Sequence, residues 1–392
     1  MSSAVHAVTS VGARTSAAIF VLDVEEFRPL VTCARAMPGV TVTGPHKGYL
    51  RIASQGAIAF NRKQLGFKPA VWYGALTGGL VGRVTEFSRI SILGGGPSGL
   101  YLALLLKRRQ PTLQVTVYEQ NRAEDTFGFG VVLADTGLNK LEEADAESAA
   151  AMRGAMHFSH QQTIRLNDQS MDIKRPGAGG GAITRIELLK LLQDRCFTAG
   201  VDLRFSTRVD PADPAMATAL ADADLVVGAD GVNSLLRTRM EKEFGTTQRH
   251  LKNRFAWHGT HKLFANPALV FRQHAGGHFV AHYYRYNEAM STFVAECDEA
   301  TWFHCGLDKI TDDARKALAE QIFAPELGGE LLIASNSTWR QFPVIRNQRR
   351  ASLGFAGVVV VAMTVRAVFL QRQRLTEWAH LPPYCRSSSL CS

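Results

Sequence analysis

Cysteine is scarce in this chain. There are six in 392 residues, at positions 33, 196, 297, 305, 385 and 391, and no two form a C-x-x-C pair. That spacing excludes a disulfide framework, and a reducing cytoplasm is the expected setting. Long hydrophobic runs are missing as well. The longest, Leu353 to Val365, is too short to cross a bilayer and meets Arg366 at once. Residues 1–20 lack the basic start and apolar core of a signal peptide, so neither export nor membrane insertion is expected. No internal repeat is visible, and no aromatic-basic motif of a nucleic-acid binder. The net charge of +9 is carried by scattered residues. An anionic substrate or cofactor accounts for that balance, and nucleic acid is not expected as a partner.

What is present is the composition of a globular protein, 46% hydrophobic and 20% charged, long enough for two domains with cores of their own. Its most informative stretch is Ile90-Ser91-Ile92-Leu93-Gly94-Gly95-Gly96-Pro97-Ser98-Gly99-Leu100. A short apolar strand runs into Gly94, Gly96 and Gly99 in G-x-G-x-x-G spacing, and the apolar run from Leu100 to Leu106 reads as a helix. A second strand, Val115 to Tyr118, ends in Glu119, 20 residues after Gly99. This is the dinucleotide fingerprint in the context it requires. Gly94 allows the tight turn, Gly96 lets the backbone approach a pyrophosphate, and Gly99 lets helix and strand pack closely. The pyrophosphate is expected on the helix N-terminus, where free N–H groups and the dipole favour an anion. Glu119 is expected to accept from ribose hydroxyls. The motif by itself leaves NAD and FAD both open.

Around this motif, residues 1–88 contain strand-like pieces (Ala18 to Leu22, Val40 to Thr43) and an apolar, Gly-rich stretch from Trp72 to Val84. They read as an extension of unknown role: a small extra domain, a fused remnant or an over-extended start. From 89 to about 245 strands and helices alternate as in an α/β domain. Leu188, Leu189, Leu191 and Leu192 line one face of a helix from Arg185, and the sequence near 160–182 departs from the alternation. From 246 to 346 aromatic and β-branched residues alternate. Leu269 to Phe271, His278 to Tyr284 and Ser291 to Glu296 read as antiparallel strands, and Asp312 to Phe323 as a helix.

A second constellation lies at Asp222 to Arg237. An apolar strand enters Asp230-Gly231, and Ser234 and Arg237 follow. Gly231 permits a tight turn beside a ligand, Asp230 can accept from ribityl or ribose hydroxyls, and Arg237 can anchor the segment by ion pairing.

With both motifs in hand, residues 89 to about 346 resemble the single-component FAD-dependent aromatic hydroxylases of the p-hydroxybenzoate hydroxylase fold. The resemblance implies an α/β chain: a Rossmann-like FAD-binding domain with an interleaved, mostly antiparallel β-sheet substrate domain. It assigns Gly94, Gly96, Gly99 and Glu119 to the ADP half of FAD, Asp230 and Gly231 to FAD and NAD(P)H use, and Arg185 to the pyrophosphate. It implies that NAD(P)H reduces the flavin and that O₂ supplies the oxygen placed on an electron-rich ring. No catalytic side chain is required, because the cofactor carries the chemistry while the protein positions the ring and excludes water. The expected assembly is a monomer or homodimer.

Asp125-Thr126-Phe127-Gly128-Phe129-Gly130-Val131-Val132 and Phe255 to Phe264 are similar to salicylyl-CoA 5-hydroxylases and 2-aminobenzoyl-CoA monooxygenases. Met290 to Phe293, Glu296-Cys297 and Glu326 to Gly329 also resemble the violacein-pathway hydroxylase of a tryptophan-derived indole. An aromatic acyl-CoA is therefore the expected substrate and the indole the alternative. His261, His282 and Tyr284 are candidate pocket residues. Metal binding by the histidines is not expected: His258 and His261 are three apart on a strand and face opposite ways. His278 and His282 lie about 13 Å apart along one.

The chain departs from the family at its end. The family carries a further Gly-Asp after an apolar strand, and this sequence has no Gly-Asp dipeptide. Where it is due, the text reads Val358-Val359-Val360-Val361-Ala362-Met363. A one-base slip turns codons for Gly-Asp into Ala-Met, so residues 347–392 read as a divergent, frameshifted and truncated tail. An inactive FAD-binding remnant is the corresponding rival reading.

Overall fold

In a computed structural model, the structure describes residues 5–9, 17–62, 64–67, 71–72, 79–81, 83–84, 88–174, 180–210, 212–334, 338–348, 351–353 and 359–362. The loop at 175–179 and everything after 362, including Phe369 to Arg374, lie outside the described residues.

The fingerprint strand Arg89–Leu93 lies inside a parallel sheet. Its order is Asp202–Arg204, Gln114–Tyr118, Arg89–Leu93, Leu225–Gly228 and Val359–Ala362, with Ala351–Leu353 antiparallel at the edge. Strands buried on both faces need apolar side chains at successive positions. Ile90, Ile92, Val115 and Val117 pack under the helices Pro97–Arg109 and Arg185–Thr198, through Leu100, Leu104, Leu188, Leu189 and Leu192. Leu93 and Val226 pack on the other side with Leu220, Leu236 and Phe244.

The second layer is an eight-stranded sheet built on the long strand Thr246–Thr260, which pairs antiparallel with Ser291–Cys297, Leu332–Ala334 and Arg340–Asn347. Gly277–Arg285 and Ala268–His274 continue it. The segment that left the α/β alternation near 160 forms the hairpin Gln161–Leu166 and Gln169–Lys174, and its first strand joins this sheet parallel to Ala268–His274. The chain then returns through Gly181–Thr184, which pairs with Gly130–Leu133. Two-residue alternation sorts the sheet's faces. Phe279, Ala281, Tyr283, Phe293 and Ala295 pack with Trp302, Ile322 and Phe323 of the helices beyond. Val280, His282 and Tyr284 point to the opposite face, the side on which Tyr284 meets the nucleotide domain.

Residues before Ser88 fold around a core of their own. Val40–His46, Tyr49–Ser54, Ala17–Leu22 and Leu80–Val81 form one sheet, and Ile58–Asn61, Val5–Thr9 and Arg83–Val84 another. The helix Arg28–Arg35 closes the core with Leu30 against Ile19, Ile52, Phe60 and Trp72. After 347 the described residues continue the parallel sheet: Leu225–Gly228 pairs with Val359–Ala362, residue for residue.

Candidate cofactor and substrate site

Three parallel strands end together, and their carboxyl ends carry the residues singled out from the sequence. Backbone bonds align them: Gly94 N–H donates to the Tyr118 carbonyl (2.8 Å) and Ala229 N–H to the Leu93 carbonyl (2.7 Å). Gly94 has φ +104°, and a Cβ there would lie 2.4 Å from the Ala229 oxygen and 2.7 Å from the Asp230 nitrogen. The first glycine is thus the point where the two nucleotide motifs touch. A Cβ on Gly99 would come within 2.0 Å of the Gly94 oxygen, which fixes glycine there too. Gly96 caps the helix Pro97–Arg109 without a side-chain acceptor, and a Cβ on it would meet nothing within 4 Å. Gly231, at φ +78°, is open in the same way.

Glu119 stands over the turn. Its Oε2 accepts from Gly95 N–H at 2.7 Å, and Oε1 accepts from the backbone and side-chain N–H groups of Asn121 at 2.9 and 2.7 Å. A carboxylate offers about four acceptor positions, so capacity remains for a hydroxyl. Arg185 opens its helix, with its backbone N–H held by the Phe129 carbonyl at 2.9 Å. Burial lowers its guanidinium pKa and the charge of Glu119 opposes that drop, while its Nε is buried without a partner. Asp230 accepts from Leu235 N–H at 2.7 Å through Oδ2, and its Oδ1 is buried and unpartnered. Arg237 anchors this turn through the carbonyls of Gly231 (3.1 Å) and Val232, where the sequence had suggested an ion pair.

An unpartnered donor at Arg185, an unpartnered acceptor at Asp230 and a helix N-terminus without a side-chain cap suit a ligand bearing both phosphate and hydroxyl groups. Those are the groups of FAD.

The glycine-rich segment after Asp125 joins this site to the large sheet. Trp257 lies 3.4 Å from where a Gly128 Cβ would stand, Phe129 lies 2.5 Å from one on Gly259, and Tyr286 lies 2.4 Å from one on Gly130. Tyr284 Oη donates to the Gly130 carbonyl at 2.8 Å, and Gly130 N–H donates to Thr292 Oγ1 at 3.1 Å. These contacts went unread in the sequence, where residues 125–132 and 255–264 stood as separate similarities. The signal available was glycine at 128, 130 and 259, each set among aromatic residues.

The three candidate pocket residues part company. His282 and Tyr284 line one cavity of about 50 Å³, with their rings 5.2 Å apart. His157 lines it as well, its pKa lowered by burial and then by Arg285. His261 is exposed at the end of its strand, with Nδ1 3.4 Å from the Ala289 oxygen, and is not brought to the cavity. His258 is buried on the helix side. Among the described residues no group of three or more His, Cys, Asp or Glu could hold a metal ion. No helix among them is long and apolar enough to cross a membrane.

Residues 88–341 match the FAD binding domain family. The chain belongs to that family. A salicyloyl-CoA 5-hydroxylase from Streptomyces sp is 36% identical over 66% of this chain and 50% of its own length. A protodeoxyviolaceinate monooxygenase from Chromobacterium violaceum is 32% identical over 67% of this chain and 69% of its own. A 3-hydroxy-4-methyl-anthranilyl-(aryl-carrier protein) 5-monooxygenase from Streptosporangium sibiricum is 30% identical over 66% and 68%. The chain spans about half the length of the first of these relatives. A solved 2-methyl-3-hydroxypyridine-5-carboxylic acid oxygenase shares the fold, with a TM-score of 0.56 and 20% identity over 72% of this chain and 76% of that one. This member of the FAD binding domain family thus has the mixed architecture that the sequence implied, a parallel nucleotide sheet facing a largely antiparallel one.

Proposed function

We propose that the chain is an FAD-dependent monooxygenase that hydroxylates an aromatic acyl thioester, such as salicylyl-CoA or 2-aminobenzoyl-CoA, with O₂ and NAD(P)H. The observation that carries this reading is the meeting of the two nucleotide turns at Gly94 and Asp230, with Asp230 Oδ1 unpartnered there and Arg185, its Nε unpartnered, within reach of the charge of Glu119 over the first turn. When bound, FAD supplies the redox chemistry that activates O₂. The protein's part is to bind and to exclude water. The N-terminus at Gly96 and Arg185 hold the phosphates, Glu119 accepts from the ribose, and Asp230 accepts from a hydroxyl at the second turn. His282 and Tyr284 form the wall towards which the ring is directed. Two of the three relatives above carry a thioester handle in their names, which favours an acyl thioester over a tryptophan-derived indole.

The test starts with the visible absorption spectrum of the purified, gel-filtered chain. A stoichiometric flavin band is expected, followed by NAD(P)H oxidation that salicylyl-CoA stimulates and that yields one hydroxylated product per turnover. A soluble but colourless protein would sink the reading.

One observation favours a second reading. Val359–Ala362 sits in register beside Leu225–Gly228, and Ala362 ends that strand where the resemblance expects the glycine of Gly-Asp. A nucleotide-binding remnant would hold flavin yet oxidise no NAD(P)H in response to any aromatic thioester.

A further inference from the structure

A groove of about 470 Å³ opens beside the cavity that His282 and Tyr284 line, and the two share Ser159 and Ala265 as common wall. The groove is the larger space and has the size of a ligand site, while the inner cavity is small. Its floor is set by hydrogen bonds. Ser159 Oγ donates to the Gln161 carbonyl at 2.9 Å, and Asn266 Nδ2 donates to Gln161 Oε1 at 3.3 Å. Lys174, paired across the hairpin with Gln161, and His160 stand exposed at its rim. Arg285 lies at the inner end. Among the described residues no Asp or Glu lines either space. A wall that is small and mostly uncharged inside, polar along its length and basic at the rim fits a long ligand with a ring at one end and a phosphate at the other.

We propose that this groove holds the phosphopantetheine arm of the substrate, with the acyl end directed at the inner cavity and the arm's phosphate at Lys174 and His160. The assignment rests on the aryl-thioester reading above. The shared chemistry is the phosphopantetheine thioester, whether it belongs to CoA or to a carrier protein.

The experiment compares the wild-type chain with Lys174→Glu, an exposed position where charge reversal leaves the core untouched. Three thioesters of salicylate are assayed: with CoA, with phosphopantetheine, and with N-acetylcysteamine, which has no phosphate. Lys174→Glu is expected to raise KM at least about fivefold for the first two, leaving kcat and the N-acetylcysteamine ester unchanged. Equal effects on all three esters, or none on any, would overturn the assignment. A lower wild-type KM for the CoA ester than for the phosphopantetheine ester assigns the arm to CoA, and equal values assign it to a carrier; both support the site. Titration of free CoA into the two proteins separates this inference from the reading beneath it. Binding weakened by the charge reversal without turnover of any thioester would defeat the hydroxylase reading and leave the groove standing. CoA binding indifferent to Lys174→Glu would defeat the groove.

Discussion

Arg185 and His258 are the two side chains whose surroundings make the sharpest demands. Arg185 keeps a buried Nε without a hydrogen-bond partner, and a buried donor left unsatisfied weakens the fold that holds it. Arg185→Met is therefore expected to leave the urea midpoint of the flavin-free chain unchanged or raise it, while FAD affinity falls by about tenfold or more. Flavin retention on gel filtration and urea unfolding check the two halves separately. His258 is 2% exposed, and neither ring nitrogen finds a partner. Burial, then the charge of Lys316, lowers its pKa from 6.5 to about 4, with Glu320 opposing. The folded chain keeps this ring neutral, whereas the unfolded chain protonates it below 6.5. Stability contributed by the neutral ring is thus whole above that pH and is lost as pH falls from 6.5 towards about 4. The full loss is at most about 3 kcal/mol. His258→Leu is expected to flatten the urea-midpoint profile across that window, and an unchanged slope would show that other groups set it.

Between elements, the tie that holds the excursion hairpin is Glu326, whose side chain is 0% exposed. It accepts from Arg165 Nη1 at 3.1 Å, on the hairpin, and from Arg272 Nε and Nη2 at 3.0 and 2.6 Å, on the adjoining sheet strand. Removing one member of a buried ion pair strands the rest, so Glu326→Leu is expected to cost about 3 kcal/mol in urea unfolding. The groove should loosen with it, since Gln161 and Lys174 belong to the same hairpin. Much at this scale was legible in sequence. The strand at Ile90, the helix opened by Arg185 and the antiparallel run from Ala268 to Cys297 all follow from apolar periodicity. The Glu326 tie was not legible. Its members are 54 and 161 residues apart, and each reads alone as an ordinary charged residue.

At the scale of the whole chain, the segment before Ser88 pairs its strands only among themselves among the described residues and owns a core around Ile19, Leu30 and Trp72. The family match begins at residue 88. A chain starting at Ser88 is therefore expected to keep the flavin spectrum and the thioester KM of the full chain, because among the described residues none of the cofactor or groove site lies before that point. Loss of flavin on truncation would show that the extension completes the site.

The sequence by itself determined the nucleotide turn, because G-x-G-x-x-G, its flanking strand and helix, and an acid at a fixed distance are all local in the chain. It also determined Asp230-Gly231 as a turn after a strand. Only tertiary structure decided that Gly94 touches Asp230, that Tyr284 and Thr292 of the large sheet hold Gly130 of the nucleotide domain, and that His282 faces a cavity while His261 faces solvent. Periodicity tells which residues share a face of one element. What that face meets is set by how strands far apart in sequence are ordered in the sheet, and the one-dimensional pattern does not hold that order.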